Sequence, residues 1–241
     1  MSTSDDTAST GSAPPPARNV VLVHGAYADG SSWADVIPLL QDAGLHVTAV
    51  QNSLVSLAED AAATTRALDA QNGPTVLAGH SWAGTVISEA GVHPNVTALV
   101  YVAARAPDAG EDYGALAGSF PAPPAATGFV HADGYVQFGD DAFLADFANG
   151  VDPARAKVLL AVQGPISDTL FAGRTTRAAW HDKPTFYAIS KNDRTTNPDL
   201  ERFLANRMGA TQIELESGHL SLVTHPREIA DLILQAAGAA G

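Results

Sequence analysis

The run Leu77-Ala78-Gly79-His80-Ser81-Trp82-Ala83-Gly84 holds the residues best placed to do chemistry. An apolar, β-prone stretch, Thr75-Val76-Leu77, leads through small residues into a serine and then into a helix-compatible segment. A strand-to-helix corner of this kind lifts a serine hydroxyl clear of its own backbone. It strains the serine, so the neighbours must be small. Gly79 fills one flank; the second glycine of a G-x-S-x-G pattern is Ala83 here, with Gly84 beside it. A hydroxyl so presented suits acyl transfer, given a base, a group that orients the base, and donors for the oxyanion.

The donors are expected upstream. Asn19-Val20-Val21-Leu22-Val23 reads as a strand buried on both faces, and it ends in His24-Gly25-Ala26-Tyr27-Ala28-Asp29-Gly30. Small residues there leave backbone N–H groups open beside the serine corner. The N–H groups of Ala26 and Trp82, the latter just after the serine, are the expected oxyanion donors. Losing one such donor typically costs ~10²–10³ in rate.

Base and acid are expected near the C-terminus. Pro184–Ser190 reads as a buried strand followed by Lys191-Asn192-Asp193-Arg194, which sets a carboxylate at the same sheet edge as the serine. Ala210–Glu216 makes a last strand, with Ser217-Gly218-His219-Leu220 in the loop after it. His219 would take the Ser81 proton, and Asp193 would fix the imidazole tautomer. Asp199 is the rival acid, but Asn197-Pro198-Asp199-Leu200-Glu201 reads as a helix start, where an acid favours the dipole. His46, His93 and His225 read as structural or solvated, and His80 must point away from Ser81. Tyr27, Trp82 and Leu220 are expected to present side chains to a substrate pocket.

The elements that must hold these residues follow from pattern. Strands are expected near 19–24, 46–51, 75–80, 97–103, 184–190 and 210–216. Helices are expected near 32–43, 56–71, 82–92, 197–208 and 226–237. Between Ala106 and Trp180 the alternation fails, and that stretch holds six of the eight Phe residues and six of the fifteen prolines. It reads as a lid whose rings build a small core, some of them also lining an apolar acyl or alcohol pocket.

Val21-Leu22-Val23-His24-Gly25-Ala26, the Gly79-His80-Ser81 corner and the Ser217-Gly218-His219 ending resemble the compact α/β-hydrolases. The order Ser81, Asp193, His219 is theirs, unlike that of chymotrypsin or subtilisin types. The closest resemblance is to the subgroup of the plant salicylate-binding methyl esterase, the hydroxynitrile lyases and their bacterial esterase relatives, from about Asn19 onward. It implies an α/β fold: a mostly parallel sheet of about six strands flanked by helices, with a small lid (106–180) inserted after the fourth strand. It implies a cofactor-free serine carboxylesterase acting through an acyl-enzyme, with a small-molecule ester as its partner. A lactonase or a carbon–carbon bond hydrolase would use the same triad. The lyases place a lysine after the catalytic histidine, where this chain has Leu220, and a non-catalytic receptor would not need a complete triad.

Composition narrows the remaining classes. A chain of 241 residues with 46% hydrophobic and 16% charged residues fits one globular domain, here 19–241 after a flexible tail, 1–18. The formal net charge of −13 argues against nucleic acid and anionic membranes, and would disfavour anionic substrates. No window reads as a transmembrane helix or secretory signal, so a cytoplasmic location is expected. With no cysteine and no cluster at metal-ligand spacing, neither thiol chemistry nor a bound metal is expected.

Overall fold

The computed structural model describes residues 16–238, so most of the expected N-terminal tail lies outside the described residues. Strands β1 (Asn19–Val23), β2 (His46–Val50), β3 (Thr75–His80) and β4 (Val96–Val102) come first. The short β5 (Phe129–Ala132), β6 (Tyr135–Phe138) and β7 (Ile166–Ser167) follow, then β8 (Thr185–Ser190) and β9 (Thr211–Leu215). The main sheet runs in the order β2-β1-β3-β4-β8-β9 with every pairing parallel. Every residue of β1 and β3 is buried, as strands covered on both faces must be. The edge strands β2 and β9 are more exposed.

Helix α1 spans Ile37–Asp42, α2 Leu57–Asp69 and α3 Ala83–Ala90. Helices α2 and α3 pack together on one face, while α1 and Pro226–Ala236 pack together on the other. The helix expected over 32–43 is broken. A 3₁₀ turn, Gly30–Trp33, precedes α1, because Pro38 has no N–H to offer the preceding turn. Helix α2 starts on Ser56, whose side chain accepts from the Glu59 amide.

Register places the chemistry at one edge. Val23 pairs with Gly79 and Ser190 with Leu215, so the loops after β1, β3, β8 and β9 all leave the C-terminal edge of the sheet. Segment 103–184, between β4 and β8, forms the antiparallel sheet β5-β6-β7 and a cluster of rings above that edge. Phe138 lies 4.6 Å from Phe129 and 5.3 Å from Phe147, ring centre to ring centre. Tyr27, from the loop after β1, joins them at 4.6 Å from Phe138. Each such pair adds ~0.5–1.5 kcal/mol beyond its buried area, which fastens the insertion to the sheet edge.

Candidate active site

Ser81 stands at the β3–α3 corner with φ +55°, in the left-handed region that side chains avoid. Such a residue costs ~1–3 kcal/mol and persists only where its surroundings fix it. Here the Ser81 N–H donates to the Val102 carbonyl (3.1 Å), and the Ser81 carbonyl accepts from the amides of Gly84 (3.0 Å) and Arg105 (3.1 Å). Close approach dictates the glycines. A Cβ on Gly25 would lie 2.9 Å from Ser81 Cβ, and one on Gly84 would collide with the Arg105 carbonyl. Ala83, the departure from the motif, is accommodated and fully buried. Gly84 is the position where no side chain fits.

Ser81 Oγ is 2.9 Å from His219 Nε2, and His219 Nδ1 is 2.6 Å from Asp193 Oδ2. Asp193 Oδ1 accepts from the amides of Thr195 (2.7 Å) and Thr196 (2.8 Å), which turn the carboxylate toward the imidazole. With Nδ1–H donating to Asp193, Nε2 carries the lone pair that can receive the serine proton. Both partners are withdrawn from solvent. Asp199 lies elsewhere, on the surface of helix Pro198–Arg207 and paired with Arg202 at 2.9 Å.

Two buried histidines support this arrangement from behind. His80 Nε2–H donates to the His219 carbonyl (3.0 Å), and burial holds the ring well below its usual pKa, hence neutral. His24 Nε2 accepts from the Asn52 amide (2.9 Å), so its Nδ1–H donates to the Gly25 carbonyl (2.8 Å) and steadies the loop after β1. Burial lowers its pKa as well. His93 pairs with Asp69, and His225 meets the Thr224 hydroxyl.

Ser81, Ala26, Tyr27, Arg105, Thr195, Thr196 and the rings of Phe129, Phe138, Phe147 and Phe171 line a cavity of about 240 Å³. Among the described residues, neither the Ala26 nor the Trp82 amide donates to a protein acceptor. Both remain available to an oxyanion. A larger groove of about 790 Å³ between Asp35, Arg155 and Arg227 is open and contains none of the three residues Ser81, Asp193 and His219. The structure sorts the ring residues of the insertion: Phe143 is core, and Phe120 packs on Phe203.

Two pocket expectations need correction. The Trp82 indole faces α2 and donates to Asp60 Oδ2 at 2.9 Å, because a buried N–H must find an acceptor. Leu220 is fully buried beside a second crevice, with Phe143 and Leu159, that adjoins the cavity through the shared rings of Tyr27 and Phe147. Tyr27 does line the cavity.

Glu201, which no motif announces, is fully buried in helix Pro198–Arg207 and accepts from the Ser190 amide at 2.9 Å. Its position between Leu200 and Leu204, on the helix face turned to the core, was the available signal. Burial, with the Asp193 charge close by, pushes its pKa well above the ordinary carboxylate range. The folded chain therefore keeps a proton that the unfolded chain releases near pH ~4.3. Stability contributed by that proton is present below this pH and is lost as pH rises toward the folded-state pKa. Glu201→Gln, which keeps the acceptor for Ser190, should flatten the decline of melting temperature above about pH 5. Thermal melts across pH that decline equally in both proteins would contradict this.

The sequence matches the alpha/beta hydrolase family over residues 20–232, and the chain belongs to that family. A pyrethroid hydrolase from Sphingobium faniae is similar in structure, with TM-score 0.76 and 21% identity over 92% of this chain and 98% of that one. Polyneuridine aldehyde esterase gives TM-score 0.79 and 18% identity, covering 91% and 98%. The Arabidopsis methylesterase MES16 gives 0.76 and 17%, covering 91% and 98%. These likenesses concern the fold. No curated protein matches in sequence. Among the described residues, no helix is long and apolar enough to cross a membrane.

Proposed function

We propose that this hydrolase cleaves small to medium carboxylic esters through an acyl-enzyme on Ser81. The observation that carries the reading is the unbroken hydrogen-bonded chain Ser81–His219–Asp193, opening on a ring-lined cavity. Ser81 Oγ attacks the ester carbonyl as His219 Nε2 takes its proton. The N–H groups of Ala26 and Trp82 hold the oxyanion. The alcohol leaves with the proton from His219, and water, activated by the same imidazole, then frees the acid. Asp193 accepts from His219 Nδ1–H and steadies the imidazolium. The hydrolase and esterase named among the structural neighbours are consistent with this chemistry.

Cavity size sets the expected range. Each buried methylene stabilises binding by ~0.8 kcal/mol until the acyl chain meets a wall. On p-nitrophenyl esters, kcat/KM should rise from acetate toward butyrate or hexanoate and then fall. A maximum at palmitate with activation at a lipid–water interface would contradict the reading.

A further inference from the structure

Among the described residues, Arg105 is the one charged side chain lining the Ser81 cavity. Its backbone belongs to the serine corner: the Arg105 amide donates to the Ser81 carbonyl, and its own carbonyl fills the space that Gly84 leaves. Its guanidinium lies 3.9 Å from the centre of the Phe171 ring, 4.9 Å from Tyr113 and 5.5 Å from Trp82. The nearest titratable neighbours are the phenols of Tyr113 and Tyr27, and burial pushes both pKa values up, so both stay neutral. Among the described residues no carboxylate balances this cation.

Arg105 is only partly exposed, and a charge drawn away from water is costly to keep unless something pairs with it. The rings stabilise the guanidinium face by cation–π contact, and the N–H edges are what remains to bind. A planar fork of N–H donors matches a carboxylate, which it can hold through two parallel hydrogen bonds. We propose that the ester substrate carries a carboxylate at an end away from the reacting carbonyl, and that Arg105 binds it. This rests on the esterase reading above and narrows its substrate class. It also reverses the expectation drawn from net charge. Surface charges act through solvent and are screened beyond ~8 Å, whereas Arg105 acts at contact in a cavity lined largely by rings.

The test compares mono-4-nitrophenyl adipate with 4-nitrophenyl hexanoate, acyl chains of equal length that end in a carboxylate or a methyl group. In wild type the ratio of their kcat/KM values should exceed one, chiefly through KM. Arg105→Met should lower that ratio by about tenfold or more, the usual worth of a hydrogen bond to a charged group. Arg105→Lys should fall between, since it keeps a point charge and loses the fork. A wild-type ratio at or below one, or one that Arg105→Met leaves unmoved, overturns the proposal. Inhibition of wild type by hexanoate against hexanamide needs no variant, and stronger inhibition by hexanamide also overturns it. Esters hydrolysed without a preference for the charged one sink only the carboxylate assignment. A wild-type protein that hydrolyses neither ester and resists fluorophosphonate labelling sinks the esterase reading with it.

Discussion

Ser81→Ala should abolish ester turnover, leaving at most the ~10³–10⁴ over water that binding and oxyanion donors supply without a nucleophile. The fold should survive. The substitution removes one hydroxyl whose hydrogen bond is to His219. Alanine must still adopt the φ of +55°, but the three backbone hydrogen bonds at the corner do not involve the side chain. A fluorophosphonate should label wild type on Ser81 and leave the variant unlabelled at matched melting temperature. Labelling that persists in the variant would move the nucleophile elsewhere.

Asp193→Asn should lower kcat by about 10⁴. One side-chain oxygen can keep the Thr195 and Thr196 amides, which puts the new NH₂ group against His219 Nδ1. Two donors cannot face each other, so the imidazole must move its proton to Nε2, and the lone pair that receives the Ser81 proton is lost. Asp199→Asn should leave kcat within severalfold and cost a few tenths of a kcal/mol, because its pair with Arg202 is solvent-exposed. Steady-state kinetics on one ester decides between the two acids. A deep loss in Asp199→Asn with little change in Asp193→Asn would exchange their roles.

The residues of the proposed chemistry were legible because each is announced locally. Apolar runs mark β1, β3 and β8 as buried strands, and the C-terminal end of a parallel strand is where a polar loop residue finds its partners. Asp193 and Asp199 were separable because Pro198 after Asn197 writes a helix start into the sequence. Side-chain direction was not legible in the same way. Trp82 turns to α2 because Asp60, set one helix earlier, accepts its N–H, and no local pattern couples those positions. Phe129 reaches the cavity and Phe143 does not, since the pairing of β5 with β6 and the packing of both decide this across the insertion. Arg105 carried a local signal: a cation between Ala104 and Ala106, just past a buried strand.

The order of strands in the sheet has a consequence for how the protein is made. β2, β1, β3 and β4 are joined by short connections, so the Ser81 corner can form from the first part of the chain to be synthesised. Strand β8 pairs with β4 only across the whole segment 103–184, and β9 adds to β8. Contacts between residues far apart in sequence form late, because the loop must close before they are rewarded. On the proposed chemistry, Asp193 and His219 should therefore join last, leaving a half-folded chain with a serine and no base to activate it. Recovery of activity on refolding should coincide with docking of the last two strands, and no reactive hydroxyl is released before then.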